Sequence, residues 1–308
     1  MRAKLGLIAG ALLFGACDEP IKEPQRIENH RVLGARVEPL AEPTRASLLP
    51  GETARVRWLV ADPRPARPLG WAFAVCPAIP VSSGLPLCGA PFFAQATSAE
   101  PRAEEPAFEL VVPTRAELGT FTELVVLGVI CADGQPASVD SSCTGPGVEM
   151  TRVDFYLHVP AAGEPNHNPS FASVELSWDG APWTIPLREL LGQTDCTLAG
   201  EDVPRVHPGS VGHAIRATFA DADREPLSSE NALDPRRELL ALSHFSTAGE
   251  LARPESILEP ADATNTLAVT WDAPETAMAG GALVRFYFVA RDLRGGVDWT
   301  ERVVCVEP

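Results

Sequence analysis

A serine nucleophile on a strand-to-helix elbow needs the spacing Gly-x-Ser-x-Gly. The nearest approach, Gly209-Ser210-Val211-Gly212, lacks that spacing and opens a strand. Neither the phosphate-cradling GxxxxGK[ST] loop nor the zinc-binding HExxH helix occurs. The six histidines (His30, His158, His167, His207, His213 and His244) include no pair at zinc-ligand spacing and read as strand or surface residues. None of the seven cysteines forms a CxxC pair, which argues against thiolate metal sites and dithiol redox chemistry. Carboxylates are abundant, but none stands out as the acid–base pair of a glycoside hydrolase. No catalytic residue is assigned, no enzymatic activity is expected and no cofactor is required.

The first residues specify a destination. Arg2 and Lys4 head an apolar run from Leu5 to Ala16. It is shorter than the roughly 20 residues of a membrane-spanning helix and suits an export signal. The run ends in Phe14-Gly15-Ala16-Cys17, which resembles the lipobox of bacterial lipoproteins, where small residues precede a cysteine that is diacylated before cleavage. The resemblance implies a signal peptide over 1–16 and lipidation of Cys17. It places the chain in the bacterial cell envelope, on the exported side of the cytoplasmic membrane (periplasm or cell surface), with the membrane as partner. Setting Cys17 aside leaves Cys76, Cys88, Cys131, Cys143, Cys196 and Cys305. An even set in an exported protein reads as a disulfide framework. Cys76 and Cys88 are 12 residues apart, as are Cys131 and Cys143. Each pair spans a turn-rich segment after an apolar run, so local pairing is the simplest of the available connectivities and leaves Cys196 for Cys305.

Lysine occurs only at positions 4 and 22, and the formal net charge of −16 becomes −18 once Arg2 and Lys4 are cleaved away. A chain this acidic is repelled by phosphate backbones, so nucleic acid is not an expected partner. Thirty prolines and 24 glycines exceed what a helical bundle tolerates and suit many short strands joined by turns. Residues 17–30 are charged and proline-bearing; they are expected to be a disordered tether.

Residues 31–308 contain an internal repeat. LLPGETARVRWLVAD and TELVVLGVICADG in the first half match VHPGSVGHAIRATFAD and GALVRFYFVARDLRGG in the second. Asp62 and Asp133 are 71 residues apart, and so are Asp221 and Asp292. The repeat implies two copies of one domain, over 31–160 and 161–308. Apolar runs of period two bounded by Pro, Gly, Asp and Asn predict an all-β fold of two tandem immunoglobulin-like β-sandwiches, with at most a helical turn at 186–191.

SHFSTAGEL, TLAVTWDAP, FYFVARDLRGGVDW and NPSFASVELSWDGAPW resemble segments of the immunoglobulin-like modules of bacterial, particularly myxobacterial, envelope lipoproteins. The resemblance implies architecture and location rather than a reaction. In such a sandwich the second and sixth strands end at one pole. Asp221, Asp223 and Asp292 would gather there with Glu164, Asn166 and Asn168 of the incoming linker, a set of oxygens that could bind calcium as cadherin-like modules do. Ordinary turn chemistry is the competing explanation. Trp178, Trp183, Trp271 and Trp299 are expected in cores, although exposed tryptophans could stack on sugars. The expected function is therefore non-catalytic: structural, adhesive or protein-interacting. The alternatives are a carbohydrate- or peptide-binding module, with an envelope protein or polysaccharide as partner, and then a hydrolase. The segment around 180–205 has no counterpart in the first copy and is a place to look for a binding surface.

Overall fold

The computed structural model describes residues 23–79, 87–102, 105–136, 138–139, 143–145, 148–160, 166–184, 193–226, 237–276 and 279–308. The first half runs β1 (Arg31–Pro39), β2 (Thr53–Ala61), β3 (Leu69–Ile79), β4 (Leu87–Cys88), β5 (Ala94–Thr97) and β6 (Ala107–Val111). A one-turn helix α1 (Arg115–Leu118) leads to β7 (Glu123–Ala132), β8 (Gln135–Pro136), β9 (Cys143–Thr144) and β10 (Glu149–His158). The second half runs β11 (Glu175–Trp178), β12 (Ala181–Pro182), β13 (Arg205–Val206), β14 (His213–Thr218) and β15 (Leu240–Ser246). It continues through β16 (Glu250–Leu251), β17 (Glu255–Leu258), β18 (Thr266–Asp272), β19 (Ala282–Arg291) and β20 (Val297–Val306).

Strand order shows the repeat. One sheet of the first half is β1-β2-β6, and the facing sheet is β10-β7-β3-β4, with β5 also on β3. In the second half, β11-β14-β18 and β20-β19-β15-β17 reproduce these two sheets strand for strand. The additions are β12 beyond β11, β16 beyond β18, and β13 paired parallel to β20. Both halves are immunoglobulin-like sandwiches.

The residue pattern explains the layers. On β2, Ala54, Val56 and Trp58 point into the core while Arg55 and Arg57 point outward, the period of two that a one-sided sheet demands. Trp58 stacks on Phe73 with ring centroids 4.1 Å apart. In the second sandwich Trp178, Trp183, Trp271 and Phe286 form the aromatic centre of the core. These three tryptophans are buried and offer no sugar-stacking platform.

Three disulfides join Cys76 to Cys88, Cys131 to Cys143 and Cys196 to Cys305. The last pins the extra segment onto β20, where Trp183 also donates through Nε1 to the Val303 carbonyl at 3.0 Å. That segment is a strap over the edge strand in its described part. The helical turn anticipated at 186–191 lies outside the described residues.

The described part of the expected tether, residues 23–30, departs from disorder. Ile27 is 1% exposed. Its N–H donates to the Ser246 carbonyl at 2.9 Å, and the Ser246 N–H donates to the Gln25 carbonyl at 3.0 Å. These residues extend the edge of β15 before the chain enters β1, and burial of an isoleucine outweighs the polar, proline-bearing composition around it.

Candidate functional site at the joint between the sandwiches

The two sandwiches are packed side by side. Leu59 and Ala61 on the outer face of β2, with Leu33 of β1 and Ile27, meet Tyr287 and Val289 of β19 and Val297 of β20. Gly34 lets the backbones approach: a Cβ there would sit 3.3 Å from a methyl of Val289. A bulge between Val32 and Gly34 turns β1 at this point.

Polar contacts frame the seam. Arg36 pairs with Asp298, and Arg291 donates to the Leu33 carbonyl. Arg285 donates to the Asp62 carbonyl at 3.2 Å. The Arg57 guanidinium lies 5.4 Å from the centroid of the Trp299 ring, whose Nε1 donates to Glu105 at 3.2 Å.

Asparagines close the joint at its linker end. Asn166 donates through Nδ2 to Asp292 at 2.8 Å. Asn168 donates to the carbonyls of Val37 and Arg45 and accepts the N–H of Val297 at 2.9 Å. Asp292 also accepts the N–H groups of Arg294 (2.7 Å) and Gly296 (2.8 Å). Burial nonetheless raises its carboxyl above the usual range.

The expected calcium ligands therefore have separate partners. Asn166 and Asp292 do meet, but through an amide donor, which is the wrong polarity for a cation. Asp221 accepts from Arg237 at 2.7 Å and from Asn265 at 2.6 Å. Asp223 accepts the N–H groups of Ser170 and Ala220, each at 3.0 Å, as turn carboxylates do. Glu164 lies outside the described residues, as does Cys17. Among the described residues no three His, Cys, Asp or Glu side chains gather as a metal site.

The repeat partners of Asp221 and Asp292 bind an arginine, as Asp221 does. Asp62 and Asp133 share Arg67, each at 2.6 Å. Glu149 joins them, and its hydrogen bond from Arg64 holds its carboxyl down at about 2.

Beside the Asp292 end, His167 contacts Glu225 and lies 3.6 Å from Glu42 of the first sandwich. Arg294 pairs with both Glu225 and Glu238. Burial, followed by the charge of Asp292, raises the Glu238 carboxyl to about 7.

Pattern reading misses the seam residues, although the sequence holds a signal for them. LVRFYFVA in β19 is apolar but for one arginine and almost wholly buried. Such a run marks a strand covered on both faces, here by its own core and by the neighbouring sandwich.

No family model and no curated protein matches this sequence. Among solved structures the chain is similar to an alpha-2-macroglobulin variant of Salmonella, at 13% identity and a TM-score of 0.23, covering 94% of this chain and 17% of that one. It is also similar to the native conformation of E. coli alpha-2-macroglobulin, at 11% identity and a TM-score of 0.24, covering 93% and 17%. The chain spans about a sixth of the length of those proteins. At these scores the likeness carries no argument about function. The strand order itself places the chain among proteins built of tandem immunoglobulin-like sandwiches.

Proposed function

We propose that the chain is a lipid-anchored protein of the bacterial cell envelope whose two sandwiches act as one rigid body with a structural or protein-interaction role. The joint carries this reading. A buried apolar seam, a cross-seam ion pair and the asparagine contacts turn two modules into a single block, whereas domain pairs in one chain are ordinarily mobile. Residues 25–27 lie along the second sandwich, so an anchor at Cys17 would act on that module first. Six peptide units separate Cys17 from Glu23, a reach of about 20 Å at most. Mass spectrometry of protein isolated from its native envelope tests the anchor. A diacylated Cys17 at the N-terminus is expected; an unmodified Cys17 or a retained Met1 removes it.

One observation favours a peptide-binding variant of this role. A cleft of about 350 Å³ lies between the end strands of the two sheets of the first sandwich, Arg31 to Ala35 on β1 and Thr151 to Phe155 on β10, with Trp58, Val297 and Arg291, which holds the Leu33 carbonyl, in its lining. Unpaired sheet edges accept extended peptides as an added strand. Binding from a panel of extended peptides that Val153→Pro abolishes supports this variant, and binding unchanged by the substitution removes it.

A further inference from the structure

The second sandwich holds a Ser–His–carboxylate arrangement at the pole where β11 turns into β12. Asp179 and Gly180 form that turn, both with positive φ (48° and 84°), a conformation Asp tolerates better than most residues. The turn directs the Asp179 carboxylate at β14: Oδ1 accepts the Ala214 N–H at 2.7 Å, and Oδ2 is 2.8 Å from Nδ1 of His213. The imidazole is stacked on Trp178, with ring centroids 5.2 Å apart. Its Nε2 is 2.8 Å from Oγ of Ser210. The serine backbone is fixed in turn, since its carbonyl accepts the Ala273 N–H at 2.8 Å. A carboxylate on Nδ1 selects the tautomer whose Nε2 lone pair faces the hydroxyl, which is the relation a general base needs.

We propose that Ser210, His213 and Asp179 form a nucleophilic serine centre that takes acyl groups from carboxylic esters. This goes beyond the structural role and does not depend on the lipid anchor. Ser210 Oγ bonds to the ester carbonyl carbon while its proton passes to His213 Nε2. The carbon–oxygen bond to the alcohol then breaks, and the alcohol departs with that proton. Water, deprotonated by the same imidazole, releases the carboxylic acid and restores the serine.

Two features make the centre slow. The single hydroxyl proton has a rival acceptor, the His207 carbonyl at 2.7 Å. The N–H of Val211, which follows the serine, has no acceptor among the described residues and can face a developing oxyanion. The next N–H, that of Gly212, is taken by Asp272 at 2.6 Å. One donor instead of two costs about 10²–10³ in rate. Reaction with activated acyl and phosphonyl donors is expected rather than rapid turnover.

The test is labelling of the full chain with a fluorophosphonate, in which the serine oxygen bonds to phosphorus and fluoride leaves, read by peptide mass spectrometry. A Ser210 adduct is expected to form faster than on any other serine. His213→Gln should slow it by about 100-fold or more, and Asp179→Asn should slow it as well. A hydrogen-bonded turn with no nucleophile predicts otherwise. No Ser210 adduct at pH 8, or labelling at the same rate in folded His213→Gln, overturns the proposal. If His213→Gln fails to fold, Asp179→Asn decides: labelling at the unsubstituted rate overturns the proposal, and slower labelling supports it.

Discussion

Asp298 of β20 divides its carboxylate between the two sandwiches. Oδ1 pairs with Arg36 of β1, and Oδ2 accepts the N–H of Phe171 at 2.6 Å. Both side chains of the ion pair are about 15% exposed, so water and salt screen it less than they would a surface pair. The pair lies beside the apolar seam of Leu33, Leu59, Val289 and Val297. Removing Arg36 leaves the Asp298 carboxylate without its ion-pair partner, whereas removing Asp298 leaves Arg36 paired with Glu38 at 3.1 Å.

If that seam holds the sandwiches together, damage to it separates them without unfolding either core. Leu59 is 1% exposed on the outer face of β2. Leu59→Ala is expected to cost about 2–5 kcal/mol as a buried leucine truncation. Leu59→Asp places a carboxylate in the seam and should open it. Small-angle scattering should then show a larger radius of gyration, and calorimetry two transitions where the unsubstituted chain shows one. An unchanged radius for Leu59→Asp contradicts the rigid joint.

The leader segment makes a separate claim. Ile27 packs in the seam, and Arg26 bridges to Ser246 beside it. Ile27→Asp should release this segment while both sandwiches stay folded. Limited proteolysis reads the result: cleavage between residues 23 and 30 is expected to be fast in the variant and slow in the unsubstituted chain. Equal cleavage shows that the segment is loose in both.

Loop length ranks the disulfides. Cys196 and Cys305 are 109 residues apart, against 12 for each of the other two pairs. In the chain-entropy account the long loop contributes about 5 kcal/mol and the short ones about 3 kcal/mol. Cys196→Ala with Cys305→Ala should therefore lower the urea midpoint more than Cys76→Ala with Cys88→Ala. The strap on β20 should also lose protection from hydrogen exchange. The reverse ranking contradicts the entropic account here.

The sandwiches are legible in the sequence because each β-strand carries its own evidence. Ala54, Val56 and Trp58 alternate with arginines, and the repeat spacing aligns β2 with β14 and β7 with β19. Contacts made between distant strands are harder to read. Leu59 breaks the alternation of β2, but only the neighbouring sandwich explains why. Ile27 sits in a charged, proline-bearing stretch whose apolar partners include β19 and β20, more than 200 residues away in sequence. Strand polarity gathers Asp221, Asp223 and Asp292 at one pole, yet Arg237, Ser170 and Asn166 decide what each carboxylate does. Ser210 fails the strand-to-helix template for a serine nucleophile. Its histidine lies three residues on and its carboxylate comes from another hairpin, a combination that spacing rules do not encode.

Two glutamates make stability depend on pH near neutrality. On β20, burial and then repulsion from Glu105 raise Glu301 to about 7, against the pull of Arg285. Glu238 is likewise raised to about 7, by burial and then by Asp292. A carboxyl whose folded value lies above its ordinary 4.5 contributes stability that is full below 4.5 and lost as pH rises through about 7. Glu149, held at about 2, works in the opposite sense: its contribution is present above 4.5 and lost as pH falls toward 2. Buried His244, lowered to about 3, opposes the two glutamates between pH 3 and 6.5, because only the unfolded chain takes up its proton there. Above pH 6.5 their loss is no longer opposed, so the protein should weaken from pH 6.5 to pH 8. A shift of Glu301's size corresponds to about 3 kcal/mol. Urea midpoints should fall from pH 6.5 to pH 8, and Glu301→Gln should flatten that decline by raising the midpoint at pH 8. A midpoint that is the same at pH 6.5 and pH 8, or a decline that Glu301→Gln leaves intact, shows that water reaches Glu301 in the folded protein and that β20 packs only loosely against the first sandwich.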